Sequence, residues 1–437
     1  MADAYAAFWF RRDLRLHDNA GLYHALTSGL PVIPVFIFDR DILDELPEKD
    51  ARVAFIRQYI QHMQEQLTEQ GSTMVVRYGH PKEIWPELLE EFPIQEVYTN
   101  TDYEPYAKAR DGMIGEMLAE RGVKFADYRD HVLFEKDEIL TKQGKPYSVF
   151  TPYSRNWRET LTGGKLASYD TEGNFGQFWQ HEALPVPTLE QMGFAPTDIP
   201  FPSRTPDEEI IKHYEEKRNF PAAEATSRLG VHLRFGTISI RDLAKTAKQL
   251  SDAYLNELIW REFYMQILWN FPHVATGPFR EEYSAIQWRN DEAEFEKWKA
   301  GQTGYPIVDA AMREIAALGY MHNRSRMIVA SFLTKHLLIN WQWGEQYFAE
   351  KLLDFELSSN NGGWQWAAGC GTDAAPYFRI FNPESQMKKF DPELKYVRKW
   401  VPEYGTPGYP RPMVDHKMAR QRCLDAYKLA LKGEKSS

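Results

Sequence analysis

Glu257, Trp260 and Arg261 stand at i, i+3 and i+4 in Asn256-Glu-Leu-Ile-Trp-Arg-Glu-Phe263, a spacing that brings an acid, an indole and a guanidinium onto one helical face. That mixture makes a poor solvent face and a poor core face. It suits a pocket in which the ring stacks on a planar ligand while the carboxyl group hydrogen-bonds its edge; a surface Glu–Arg pair beside a half-buried Trp260 satisfies the same spacing. In Met321-His-Asn-Arg-Ser-Arg-Met327 a second face offers Asn323, Arg326 and Met327, with Arg324 alongside. These groups can read an amide-rich ligand or a phosphate, or simply begin a helix with exposed cations. Asp354-Phe-Glu-Leu-Ser-Ser-Asn360-Asn-Gly-Gly-Trp364-Gln-Trp366 reads as a helix end, an Asn-Asn-Gly-Gly turn and two indoles, the glycines permitting close backbone approach to a ligand. The irregular stretch 369–383 that follows is either part of that site or a structural loop. In Thr226-Ser-Arg-Leu-Gly230, two hydroxyls, an Arg and successive amides can cradle a phosphate, although such compositions are also common in ordinary loops.

The elements that position these residues divide the chain in two. In the first third, apolar runs at 5–10, 31–39, 73–78, 94–98 and 123–128 alternate with helical stretches such as 52–67 and 81–89. That rhythm predicts a parallel sheet covered on both faces, a Rossmann-like doubly wound α/β domain over 1–130 that binds ligands at the carboxyl ends of its strands. Six prolines between Pro185 and Pro206 mark an interdomain linker, placed at 131–205. From 206 to 437 helical patterns dominate, at 207–217, 240–250, 255–268, 307–318, 325–339 and 344–353, so an all-α second domain is expected, frayed at 433–437.

With 437 residues, 43% hydrophobic and 26% charged, the chain is long enough for two cores and has no disordered composition. No run approaches a membrane-spanning helix and the start lacks the order of a signal peptide, so the expected location is the cytoplasm. Cys370 and Cys423 are the only cysteines, and neither has a Cys or His at ligand spacing, which argues against a disulfide framework and a structural metal. The net charge of −10 excludes a protein that coats nucleic acid with its whole surface but permits a local basic face. Nine of the 13 Trp lie after residue 250, more indoles than a core readily satisfies. No G-x-G-x-x-G follows the first strand, so a nicotinamide-dependent oxidoreductase is unsupported.

The blocks Phe8-Trp-Phe-Arg-Arg-Asp-Leu-Arg-Leu-His-Asp-Asn19, Thr-Ser-Arg-Leu, Glu-Leu-Ile-Trp-Arg-Glu-Phe, Met-His-Asn-Arg, Asn-Asn-Gly-Gly-Trp-Gln-Trp and Arg-Ile-Phe-Asn-Pro occur in this order. Together they resemble the photolyase/cryptochrome flavoproteins over nearly the whole chain, within that family most closely the class I cyclobutane pyrimidine dimer photolyases. The resemblance implies an FAD in the helical domain, active as FADH⁻. Its phosphates would lie at Thr226, Ser227, Arg228, Leu229 and Gly230, with Tyr214 on the adenine side. Arg326 and Asp354 would pair beside the isoalloxazine ring, and Glu356, where many relatives have Asp, would contact the flavin. Asn360 would face flavin N5, and an Asn cannot deliver a proton, unlike the Asp of plant cryptochromes. Tyr320 stands where Trp is common.

For the substrate, Glu257, Trp260, Asn323, Arg324, Met327 and Trp366 match the family's lesion pocket. Glu257 and Asn323 are implied as catalytic contacts and Trp260 and Trp366 as stacking partners of a dimer flipped from the DNA. Enzymes acting on 6-4 photoproducts carry His where this chain reads Asn323-Arg324, which disfavours that substrate. Trp364, Trp341 and Trp288 match a chain of electron-transfer indoles. The stretch 377–400 carries Arg379, Lys388, Lys389, Lys395, Arg398 and Lys399; with Arg324 and Lys335 these are expected to form a phosphate-contacting face. Asp102-Tyr-Glu-Pro-Tyr106 resembles the relatives that bind an antenna 8-hydroxy-5-deazaflavin or FMN more than those that bind folate. Arg52 and Asp102 would be its contacts, with Phe38 and Asp39. The implied partner is double- or single-stranded DNA containing pyrimidine dimers, bound by a monomer of bacterial type that joins the nucleoid when bound, with no membrane. The competing reading is a blue-light receptor of the same fold signalling through a protein partner. Receptors usually add a long C-terminal extension, and little follows Trp400.

Overall fold

A computed structural model describes residues 4–433; the frayed tail expected at 433–437 lies, from 434 on, outside them. The chain divides into two compact units, each assembled from separate segments: 1–135, 161–206 and 228–246 in the first, 136–160, 207–227 and 247–437 in the second.

In the first unit β1 (Tyr5–Phe10), β2 (Val32–Asp39), β3 (Val75–Gly79), β4 (Ile94–Asn100) and β5 (Lys124–Tyr128) form a wholly parallel sheet in the order β3-β2-β1-β4-β5. β1 and β2 are buried along their entire length, which is why they read as continuous apolar runs without alternation. The crossovers are α1 (Ala20–Leu26), α2 (Ala51–Glu69), α3 (Pro81–Glu91) and α4 (Pro105–Glu120). Asn19 opens α1, its side chain accepting the Leu22 N–H at 3.1 Å. A buried charge network ties the segment around 240 to this unit: the Asp130 carboxylate accepts from Arg15 and Arg241, each at 2.7 Å, while Arg241 also donates to Asp18 at 2.9 Å. Burial alone would raise Asp130's pKa, but the two guanidiniums hold it well below the usual carboxylate range.

The stretch 131–205 is more than a linker. Its first part forms α5 (Phe150–Thr160), whose Tyr153 and Trp157 are buried in the second unit, with Trp157 Nε1 donating to Glu262 at 2.5 Å. Its second part lies along the sheet of the first unit, where Phe178 is buried and the Trp179 N–H donates to the Val32 carbonyl. Prolines restrict a backbone without preventing it from packing.

The second unit is helical. α6 (Asp252–Asn270) is capped by Ser251, whose hydroxyl accepts the Tyr254 N–H, and it packs against α5. After it come α7 (Pro306–Leu318), α8 (Asn323–Ser331), α9 (Trp341–Lys351), α10 (Leu357–Ala368), α11 (Pro383–Phe390), α12 (Lys395–Trp400) and α13 (His416–Gly433). α10 packs against α6, α8 and α9, and α7 against α8 and α12. Two expectations are corrected. The helix predicted over 325–339 leaves α geometry at a π-helical stretch, Phe332–His336, and Leu338 then takes a φ of 53°. Asn360, Asn361, Gly362 and Gly363 form no turn: they lie inside α10, which Glu356 caps by accepting the Ser359 N–H at 3.0 Å and which ends at Gly369 with φ 89°.

Packing explains the first of those two glycines. A Cβ on Gly362 would overlap the Tyr264 ring of α6, and a Cβ on Gly344 of α9 would overlap the Trp364 ring of α10, whereas a Cβ on Gly363 would meet nothing. Gly344→Ala should therefore lower the melting temperature by a few degrees although Ala is the better helix former, because overpacking costs about 1–3 kcal/mol against a propensity gain of about 1. Gly363→Ala should leave the melting temperature unchanged or raise it.

Candidate functional site

The second unit contains a cavity of about 440 Å³. α6 supplies Glu257, Trp260, Arg261 and Tyr264 to its lining; α8 supplies Asn323, Arg326 and Met327; the connection before α10 supplies Asp354 and Glu356; and α10 supplies Asn360, Gly363, Trp364 and Trp366. Residues scattered over a hundred positions of sequence thus converge on one space, helices of period 3.6 presenting positions i, i+3 and i+4 to the same side. Arg218, which no sequence pattern singled out, joins them.

Charges in the wall are paired. Glu257 forms an ion pair with Arg218, a residue outside its own helix. The Arg218 guanidinium lies 5.3 Å from the Tyr214 ring centre, and burial followed by the Glu257 charge pushes the Tyr214 phenol well above its ordinary pKa. Arg326 Nη2 reaches both Asp354 oxygens at 2.9 and 3.0 Å, and its Nε donates to the Met321 carbonyl at 2.8 Å. Burial opposes the charge on Arg326, but Asp354 outweighs it and raises the pKa. Asn360 Nδ2 donates to the Glu345 carbonyl at 3.0 Å, which leaves the amide oxygen as an acceptor in the cavity wall. Behind it the Glu345 carboxyl, bonded by Asn361 Nδ2 at 3.0 Å, is pushed up by burial to about 7. Glu356 lines the cavity, yet one of its oxygens already accepts from Ser358 and from the Ser359 N–H.

The indoles differ in exposure. Trp364 and Trp341 are 2% and 3% exposed, while Trp288 is half-buried against the ring of Tyr427, 6.1 Å away; all three belong to one apolar cluster. Trp260 is stacked face to face by Phe150, centroids 3.6 Å apart and planes 7° apart. Sequence patterns missed Phe150, because it lies in the stretch read as linker, and Tyr264, whose only signal is its position one turn after Trp260.

Of the phosphate-cradle residues, Thr226 and Ser227 belong to the second unit, bonded to the hydroxyls of Tyr320 at 2.9 Å and Tyr254 at 2.8 Å. Arg228, with φ 53°, Leu229 and Gly230 fall in the first. In that unit Arg52 pairs with Asp50 at 2.5 Å, and Asp102 accepts from Arg12 at 3.2 Å and from the Tyr103 N–H at 2.7 Å. Burial would raise the Asp102 pKa, but Arg12, with His131 and Arg11, holds it far below the carboxylate range. Tyr106 donates to Asp39 at 2.6 Å, and Phe38 is buried.

Among the cations of 377–400, Arg379, Lys388, Lys389 and Arg398 are exposed; Lys395 pairs with Glu393 at 2.7 Å and Lys399 with Glu224 at 3.0 Å. Arg324 donates to Asn219 at 2.6 Å, and burial, with the neighbouring Arg218 and Arg379 charges, lowers its pKa.

Residues 254–407 match the family described as the FAD binding domain of DNA photolyase, and residues 6–172 match DNA photolyase. A deoxyribodipyrimidine photo-lyase of Synechococcus is 38% identical over 96% of this chain and 96% of its own. The fold is similar to a bacterial class III photolyase from Agrobacterium tumefaciens, with TM-score 0.87 and 34% identity over 99% of this chain and 98% of the other. It is also similar to a Synechocystis cryptochrome, with TM-score 0.82 and 25% identity over 97% and 99%. Among the described residues no helix is long and apolar enough to cross a membrane.

Lys335 corrects the expected cationic face. It sits in the π-helical stretch with 1% exposure, its Nζ donating to the Arg379 carbonyl at 3.2 Å, and burial lowers its pKa to about 8. All five residues of that stretch are buried, Lys335 among them. Between about 8 and its ordinary value of 10.5, the unfolded chain holds a proton that the folded chain has released, so this group makes stability rise with pH across that window. Because buried Cys370 and Cys423, with raised pKa values, contribute in the opposite sense over the same range, the measurement is the difference: in denaturant unfolding, the stability of the wild type relative to Lys335→Met should rise with pH across that window.

Proposed function

The chain belongs to the DNA photolyase family, and we propose that it repairs cyclobutane pyrimidine dimers in DNA using light absorbed by a bound, fully reduced FAD. The observation that carries this reading is one cavity holding two sets of groups. Glu257, Trp260, Asn323, Met327 and Trp366 suit a pair of stacked pyrimidines, while Arg326, Asp354 and Asn360 suit a flavin ring.

The chain's residues fit the cofactor. Gly363 presents no side chain to the cavity, leaving room for a flat ring system. The Asn360 amide oxygen can accept from a protonated flavin N5, and an amide has no proton to give up, so the reduced ring keeps its charge state. The Arg326–Asp354 pair offers a fixed cation and acceptor to the ring's polar edge. Thr226 and Ser227 can turn their hydroxyls from Tyr320 and Tyr254 to phosphate oxygens. When bound and reduced, the flavin supplies the light-driven electron that opens the cyclobutane ring and that it recovers afterwards.

The protein supplies placement and a field. Trp260 and Trp366 offer aromatic surface for stacking a flipped dimer, and Met327 offers apolar contact. Glu257, released from Arg218 or sharing it, hydrogen-bonds the edge of a pyrimidine, and Asn323 offers a second polar contact where charge develops. The descending burial of Trp364, Trp341 and Trp288 suits a route by which electrons reach the cavity from the surface.

Arg324, Arg218 and Arg379 cluster closely enough for each of the last two to depress the pKa of the first. With Lys388 and Lys389 exposed nearby in sequence, they form the phosphate-binding face of an otherwise acidic chain. An antenna deazaflavin or FMN at Arg52 and Asp102 would require those residues to share their present partners. The receptor reading is less well supported, since Glu257, Trp260, Asn323, Met327 and Trp366, five of the six residues expected in a dimer pocket, line one cavity, Arg324 alone lying outside its lining.

Illuminating the reduced holoenzyme with an oligonucleotide containing a thymine dimer should restore thymine absorbance; absence of restoration sinks the proposal. Glu257→Ala should retain flavin and lose several-fold in repair per absorbed photon. For the DNA face, Lys388→Ala with Lys389→Ala should flatten the plot of log K against log salt by about 0.9 for each phosphate contact removed, with preference for damaged DNA retained.

A further inference from the structure

Trp260 does not stand alone in the cavity wall. One face of its indole is covered by Phe150, with centroids 3.6 Å and planes 7° apart, and Phe150 is itself 6% exposed. Phe150 is the first residue of α5, and the backbone leading into it is held from outside that helix. The Phe150 N–H donates to Asp373 Oδ2 at 3.1 Å, and Thr372 Oγ1 donates to the Ser148 carbonyl at 2.5 Å. Asp373 has a φ of 44°, in the left-handed region that Asp tolerates better than most residues. The loop that carries Thr372 and Asp373 continues to Arg379.

An aromatic ring stacked face to face leaves its neighbour little freedom to tilt. A helix start needs an acceptor for its free N–H groups, but Asp373 is far from Phe150 in sequence, so the bond fixes where the helix start sits relative to the loop. We propose that Phe150 is a positioning residue for dimer recognition: clamped by Thr372 and Asp373, it sets the tilt at which Trp260 meets a flipped pyrimidine dimer. This rests on Trp260 being a stacking partner of the dimer. The consequence is that the loop ending at Arg379 and the indole in the cavity are mechanically joined, so phosphate contact by the one and stacking by the other favour a single arrangement.

The test measures equilibrium binding, in the dark, of the flavin-loaded protein to matched oligonucleotides with and without one thymine dimer. Phe150→Leu should reduce the preference for damaged DNA about three- to tenfold, the scale of one aromatic pair, with undamaged binding and flavin absorbance per protein unchanged. Phe150→Tyr should retain the preference. In a Trp260→Ala background, Phe150→Leu should have no further effect. Thr372→Val, which leaves the rings in place, should lower the preference in the same direction; it decides the matter if Phe150→Leu fails to retain flavin. Equal loss for both oligonucleotides, or an unchanged preference in Phe150→Leu or in flavin-loaded Thr372→Val while Trp260→Ala lowers it, overturns the proposal. A preference untouched by Trp260→Ala overturns instead the stacking role on which it rests.

Discussion

The cavity wall depends on how closely α10 packs against α6 and α9, helix backbone against aromatic ring. Gly362 lies against the Tyr264 ring and Gly344 against the Trp364 ring with no room for a methyl group at either place. Widening either contact would shift the helix that carries Asn360, Trp364 and Trp366 relative to the one that carries Glu257 and Trp260. A close-packed interior transmits such a shift instead of absorbing it. The polar side chains of α10 lock the same arrangement from another direction: Asn361 donates to the Val274 carbonyl at 2.8 Å, and Gln365 to the carbonyls of Val274 and Gly277 at 3.1 Å. These bonds use amides that would otherwise be buried without partners.

Around that packing, charge is arranged by local pairing more than by net balance. The chain is acidic overall, yet Arg324 is surrounded by Arg218 and Arg379 instead of carboxylates, and Arg218 reaches Glu257 in the cavity. On the proposed reading, a phosphate bound here would relieve the mutual repulsion of these cations, and through Arg218 it would act on the partner that holds Glu257. Arg326, by contrast, is held at two of its nitrogens, Nη2 by both Asp354 oxygens and Nε by the Met321 carbonyl, which fits a fixed wall more than a moving part.

The first unit has its own internal logic. Asp130 joins Arg15 and Arg241, residues far apart in sequence, and Asp102 joins Arg12. Removing one partner from either set would strand a buried charge, the costly case. Its sheet follows from β-rich apolar runs that needed no side-chain detail to recognise.

What the sequence determined by itself was the local and the periodic. β1 and β2 were legible because a strand covered on both faces must be apolar throughout, the outer strands because short apolar runs recurred between helical stretches, and the helical faces of Glu257 with Trp260 and of Asn323 with Arg326 and Met327 because i, i+3 and i+4 share a side on any helix. Tertiary structure alone decided what those faces met. Arg218 became the partner of Glu257, Phe150 the neighbour of Trp260, and Lys335 a buried residue, each through contacts between positions distant in the chain. The Asn-Asn-Gly-Gly run shows the limit most plainly. Local chemistry favours a turn there, since glycine weakens a helix, but glycine is also the one residue that lets two helices touch backbone to ring, and only the packed fold says which of those reasons prevails.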